Sequence, residues 1–201
     1  MIAIIDYGMG NIGSVQKALD KLGYQSRLTS DHQEIRGADG IILPGVGAFG
    51  QAMQNLESYG LTEILKERAG SGVPFLGICL GLQILFDSSE EAPGVKGLSI
   101  VPGRVVRFKP GLKVPHMGWN ELEIRNRHGM FADVVDGTMV YFVHSYYAVP
   151  DNPEDIAAVS DYGLTFAAAV TCGNLSATQF HPEKSGDKGL AMLDAFAGSC
   201  R

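Results

Sequence analysis

Residues 77–81 read Gly-Ile-Cys-Leu-Gly, between the apolar run Val73-Pro74-Phe75-Leu76 and the helix-like stretch Leu82-Gln83-Ile84-Leu85-Phe86. A residue with a nucleophilic side chain, set between glycines where a strand turns into a helix, is the layout of a nucleophile elbow; here sulfur replaces the serine hydroxyl. The glycines fit such a turn because its apex is strained and leaves little room beside it. At the N-terminus of the following helix, the Cys79 sulfur would meet unpaired amide N–H groups and the positive end of the helix dipole. Both favour a thiolate over a thiol. A structural cysteine in an α/β core has the same neighbours, so the pentapeptide alone leaves both readings open.

Residues 179–185, Gln-Phe-His-Pro-Glu-Lys-Ser, supply what such a sulfur needs. A cysteine nucleophile requires a base, and the base requires a group to hold its tautomer. His181 and Glu183 are of those types two positions apart, and Pro182 stiffens the link. Alone, the segment reads as a surface turn. Together with the elbow it reads as a Cys79-His181-Glu183 triad, recognised by role and not by chain order.

Two glycine-rich loops compete for attention. Pro44-Gly45-Val46-Gly47-Ala48-Phe49-Gly50 lets backbone N–H groups approach a ligand, and with the N–H of Leu80 it would complete an oxyanion hole. A tight turn needing small residues is the plainer alternative. Gly8-Met9-Gly10-Asn11-Ile12-Gly13 matches GxGxxG, with Asp31 about 20 residues further on. Against a dinucleotide site, Asp6 would set a carboxylate beside the pyrophosphate, and a nicotinamide enzyme has no use for the Cys and His-Pro-Glu pair.

The elements that must position these groups follow from periodicity. Strands are predicted at 2–6, 25–29, 40–43 and 73–78, alternating with helices at 11–23, 50–56, 61–70 and 80–86. That alternation predicts a mostly parallel central sheet with helices on both faces. Strands at 101–108, 118–124, 139–149, 156–160, 166–170 and 175–180 predict an antiparallel C-terminal extension, and a helix at 188–198 closes it. The chain of 201 residues, 45% hydrophobic and 19% charged, fits one soluble globular domain over 1–201. Its net charge of −6 argues against nucleic-acid or membrane-surface binding. No apolar run approaches the roughly 18 residues that span a bilayer. The N-terminus reads as a core strand, not a signal peptide. Cys79, Cys172 and Cys200 show neither a disulfide framework nor a metal-ligand spacing, and the five histidines show none either; a reducing cytoplasm fits.

Assembled, these motifs resemble the class I, triad-type glutamine amidotransferases, in the family's order and over essentially the whole chain. Within that family, Tyr7-Gly8-Met9-Gly10-Asn11, Ser89-Glu90-Glu91-Ala92-Pro93-Gly94, Pro115-His116-Met117-Gly118-Trp119-Asn120 and residues 141–147 resemble the branch serving imidazole glycerol phosphate synthase in histidine biosynthesis. Leu82, where that family would have methionine, is a swap of similar volume. The resemblance implies that Cys79 attacks the side-chain amide of L-glutamine, His181 moves the protons and Glu183 orients it. It implies an oxyanion site from Leu80, Gly45, Val46 and Gly47, and substrate contacts from Gln83, Ser145, Tyr146 and Tyr147. The implied partner is a β/α-barrel cyclase subunit in a heterodimer, faced by Asn11, Trp119, Asn120 and Lys184, with no metal or cofactor. Free ammonia is mostly protonated at neutral pH, so a channel to the partner and a low basal activity are expected. Another ammonia-using synthase (anthranilate or aminodeoxychorismate), a Cys peptidase or other hydrolase of the same fold, and a non-enzymatic scaffold remain alternatives.

Elsewhere the plain readings are preferred. His144 reads as a satisfied core or loop residue, and His116 and Trp119 could pack a hairpin. Asp87, Glu90 and Glu91 read as a solvated helix end. Cys172 and Cys200 are assigned no chemistry.

Overall fold

The computed structural model describes residues 1–9 and 12–200. In chain order its main elements are β1 (Ile2–Ile5), α1 (Ile12–Lys21), β2 (Ser26–Thr29), α2 (His32–Arg36), β3 (Gly40–Gly45), α3 (Phe49–Ser58), α4 (Thr62–Gly70), β4 (Phe75–Cys79), α5 (Leu80–Gln83), β5 (Ser88–Ser89), β6 (Gly103–Arg107), β7 (His116–Ile124), β8 (Thr138–His144), β9 (Tyr146–Pro150), β10 (Ile156–Asp161), β11 (Thr165–Cys172), β12 (Leu175–Thr178) and α6 (Gly186–Ser199). The main sheet runs β2-β1-β3-β4-β12-β11-β10-β7-β8, and β5, β6 and β9 branch from it.

The first five strands of that order are parallel and the rest antiparallel. Strand β1 shows why helices cover both faces. All four of its residues are buried, and their side chains alternate between two cores. Ala3 and Ile5 join Ile35, Leu56 and Leu65 from α2, α3 and α4, whereas Ile2 and Ile4 join Val15, Leu19, Leu193 and Phe196 from α1 and α6.

Several local expectations change. Helix α2 was not predicted, and Asp31 is its N-cap, accepting from the N–H groups of Gln33 (2.8 Å) and Glu34 (2.9 Å). The acidic residue of the apparent dinucleotide motif is therefore a capping residue. A Cβ on Gly13 would meet nothing within 4 Å. The close helix–strand packing that gives the motif its third glycine is thus missing. The single strand predicted over 139–149 is two, β8 and β9, broken at Ser145. Helix α5 stops at Gln83, and Asp87, Glu90 and Glu91 form no solvated helix end. Each carboxylate accepts a backbone N–H, from Gly103 (2.9 Å), Arg107 (2.8 Å) and Phe49 (2.7 Å) respectively. Unpaired N–H groups at element ends attract such carboxylates.

Candidate active site

The parallel register brings distant segments together. Strand β4 lies between β3 and β12, with Gly45 opposite Cys79 and Ile78 opposite Thr178. The chain leaves all three strands at the same sheet edge, so the loop after β3, the elbow after β4 and the turn after β12 share one rim. Ligands of open α/β sheets bind outside that carboxyl edge.

Cys79 stands at φ 56°, ψ −107°, one of two non-glycine residues with positive φ among those described. Such a conformation costs on the order of 1–3 kcal/mol and persists only where the surroundings impose it. Here the glycines permit the imposition. A Cβ on Gly81 would lie 1.8 Å from the Leu43 carbonyl oxygen, and one on Gly77 would lie 3.0 Å from that of Gly81. Across the rim, a Cβ on Gly45 would lie 2.4 Å from the Tyr7 hydroxyl. That hydroxyl donates to the Pro44 carbonyl at 2.8 Å, tying the glycine loop to β1. Burial, with Cys79 nearby, raises the Tyr7 pKa well above the usual phenol value and keeps it a donor.

His181 is 3% exposed, and its Nδ1 is 2.8 Å from Glu183 Oε1. The carboxylate fixes the proton on Nδ1 and leaves Nε2 as the base. Burial alone would lower the imidazole pKa, but Cys79 and then Glu183 outweigh it and raise it to about 9. Nε2 is buried and has no hydrogen-bond partner among the described residues. No aligned hydrogen bond joins the sulfur to the ring, as is common in unliganded sites. Gln179 Nε2 donates toward Sγ at 3.8 Å, and Gln83 Nε2 donates to Gln179 Oε1 at 3.1 Å and to the Tyr146 carbonyl at 3.0 Å.

A cavity of about 240 Å³ joins these groups, lined by Val46, Gly47, Cys79, Leu80, Gln83, Glu91, Pro115, Val143, His144, Ser145, Tyr146 and His181. A larger groove of about 750 Å³, lined among others by Met53, Glu57, Glu63 and Lys96, holds no cysteine and no histidine. The smaller cavity is the candidate site because the chemistry is there. An amide placed in it can be attacked by sulfur while the imidazole handles the proton.

A scan against family models matches residues 3–198 to glutamine amidotransferase class-I. The chain belongs to the class-I glutamine amidotransferase family. A Moorella thermoacetica protein named imidazole glycerol phosphate synthase subunit HisH is 54% identical to this amidotransferase over 97% of the chain and 93% of its own length. A Methanothermobacter thermautotrophicus protein of the same name is 53% identical over 98% of the chain and 97% of its own length. Among solved structures, a glutamine amidotransferase superposes with TM-score 0.77 at 19% identity, covering 98% of the chain and all of its own. The structure of PurLQS from Thermotoga maritima gives 0.74 at 17% identity, covering all of this chain and 98% of its own. At those identities the two structures speak for the fold.

Within the amidotransferase, the expected site residues divide. Cys79, His181, Val46, Gly47, Leu80, Gln83, Ser145 and Tyr146 line the one cavity; Gly45 backs it beside Cys79, and Glu183 stands behind His181. Tyr147 does not line it. As the next residue along β9, its ring turns away onto Phe108 (centroids 4.9 Å apart) and Phe166 (6.0 Å). Trp119 is 53% exposed on β7 and packs its edge on Tyr141, with Asn120 and Lys184 partly exposed. Asn11 lies outside the described residues. Sequence reasoning missed two residues. Gln179 carried a signal, being an amide beside the candidate base. Glu91 carried none, because only the fold carries its carboxylate back to the cavity wall.

Proposed function

We propose that the chain is the glutaminase subunit of an imidazole glycerol phosphate synthase, hydrolysing L-glutamine to glutamate and passing ammonia to a cyclase subunit. The observation that carries this reading is Cys79 held at φ 56° on the wall of a cavity shared with the His181–Glu183 pair. Relatives more than half identical over nearly their whole length bear the name of that synthase's subunit.

In this reading the Cys79 sulfur attacks the amide carbon of the glutamine side chain, and its proton resides on His181 Nε2. The tetrahedral oxygen takes hydrogen bonds from the N–H of Leu80 and from the loop holding Gly45, Val46 and Gly47. His181 then protonates the leaving nitrogen, ammonia departs, and a thioester remains on Cys79. Water, deprotonated by His181, attacks the thioester; glutamate leaves and the sulfur regains the proton. Glu183 holds the imidazole throughout. Gln83, Ser145 and Tyr146 grip the substrate, and the Glu91 carboxylate faces its ammonium group. No metal or cofactor enters these steps.

The partner in this reading is a β/α-barrel acting on a phosphorylated ribonucleotide. Trp119, Asn120, Lys184 and Asn11 face it, in a cytoplasmic heterodimer. Three free thiols fit a reducing compartment. Among the described residues, no helix is long and apolar enough to cross a membrane. Glutamate production with and without the cyclase and its ribonucleotide tests the reading. Low turnover that rises with the liganded partner is expected, and equal turnover in both arms contradicts the coupling.

A further inference from the structure

Two buried histidines remain outside the triad, and they face each other across β7 and β8. His116 is 3% and His144 5% exposed, and His116 Nδ1 lies 3.0 Å from His144 Nε2. Their surroundings fix every proton. His144 Nδ1 is 2.9 Å from the Tyr146 carbonyl, which can only accept, so Nδ1 carries the hydrogen and Nε2 accepts from His116. At the other end His116 Nε2 is 3.3 Å from Asn120 Nδ2. The amide cannot be reversed, because the same Nδ2 donates to the Asp161 carbonyl at 2.7 Å while Oδ1 accepts from Glu121 N–H at 2.8 Å. Both rings are therefore neutral Nδ1–H tautomers. Burial lowers both pKa values, that of His144 to about 3, in agreement.

The rings are also immobile. His116 is stacked between Tyr162 (4.1 Å) and Phe142 (4.9 Å), and Phe108 and Phe166 close on both imidazoles. Each donor in the chain faces one acceptor, so turning any member leaves a buried polar group unpaired. His144 lines the cavity, yet both its nitrogens are already used, and none is left for substrate. Its product is geometry: it fixes the Tyr146 carbonyl, which also receives Gln83.

We propose that the His116–His144 pair is a positioning device that sets the Ser145 and Tyr146 backbone of the glutamine cavity from Asn120, four residues along β7 from His116. It rests on the reading that this backbone grips glutamine. The pair acts on substrate affinity and leaves the reactivity of the sulfur alone.

The test compares His144→Ala, His144→Asn and His116→Ala in the complex with the cyclase. It reads KM and kcat for glutamine together with the alkylation rate of Cys79 by iodoacetamide. His144→Ala should raise KM about tenfold, the effect of one lost buried hydrogen bond, with kcat and alkylation within about threefold. His144→Asn puts an amide nitrogen where Nδ1 was and should restore KM to within about threefold of the parent. His116→Ala should fall between them. An unchanged KM in His144→Ala overturns the proposal. So does an Asn variant no better than Ala, or a loss of alkylation matching the loss of affinity, which would mean general loosening. If His144→Ala does not fold, His144→Asn decides, and a KM raised about tenfold or more in it overturns the proposal. A parent without saturable glutamine hydrolysis overturns the glutaminase reading and this one with it; a normal parent with unchanged variants overturns this one alone.

Discussion

The carbonyl of Tyr141 accepts the backbone N–H of His181 at 3.0 Å, so the candidate base hangs from β8, whose other contacts reach Trp119. Ser185 closes the loop: its hydroxyl donates to the His181 carbonyl at 2.6 Å and accepts from Tyr141 N–H at 3.0 Å. Displacement of β8 therefore moves the imidazole.

Ser185→Ala leaves the Tyr141 N–H without its acceptor and takes one of two hydrogen bonds from the His181 carbonyl, which keeps the Lys184 N–H. It should lower stability by about 1–3 kcal/mol and cut kcat about tenfold or more through a misplaced base. Urea unfolding and steady-state kinetics check both. A loss of stability with parental kcat would show that the ring does not position His181.

The imidazole of His181 should titrate near pH 9 by NMR, and Glu183→Gln should bring that value down by removing one of the groups that raise it. The linkage has a definite sign. The folded value lies above the unfolded value of 6.5, so this contribution to stability is fully present below pH 6.5 and is lost as pH rises through about 9. Unfolding free energies of parent and Glu183→Gln should converge over that window. Parallel curves would contradict the assignment.

Glu91→Gln keeps an acceptor for the Phe49 N–H but removes the negative charge from the cavity wall. KM for glutamine should rise about tenfold or more with a small change in stability, measured by kinetics and thermal melts. An unchanged KM would remove Glu91 from the substrate site.

Two glycines in look-alike motifs should behave oppositely. Gly81→Ala drives a Cβ into the Leu43 carbonyl and should cost about 3 kcal/mol or more, or prevent folding. Gly13→Ala, within α1 and in open space, should be neutral or stabilise by up to about 1 kcal/mol. Chemical denaturation of both separates the packed elbow from the apparent nucleotide motif.

The parallel half of the fold was legible in the sequence, and the proposed triad could be named from it, because both have local signatures: apolar runs alternating with helices, and short motifs of chemically constrained residues. What the sequence did not carry depends on tertiary pairing. Ser145 breaks one apparent strand in two because His144 and Tyr146 belong to different pairings, with β7 and β6. The same break sends Tyr146 to the cavity and Tyr147 to an aromatic cluster. Glu91 and the His116–His144 pair were illegible because their partners lie tens of residues away, at Phe49 and across two strands. Asp31 imitates a ribose ligand because the same carboxylate that can hold a ribose also caps a helix.

The central claim is covalent: sulfur at Cys79 takes the glutamyl group. Acid-quenching the complex during turnover and measuring intact and peptide mass locates any acyl adduct. The account predicts a glutamyl thioester on the Cys79 peptide, absent in Cys79→Ala, which also makes no glutamate. Steady glutamate production by Cys79→Ala, or an adduct on Cys172 or Cys200 instead, would contradict it.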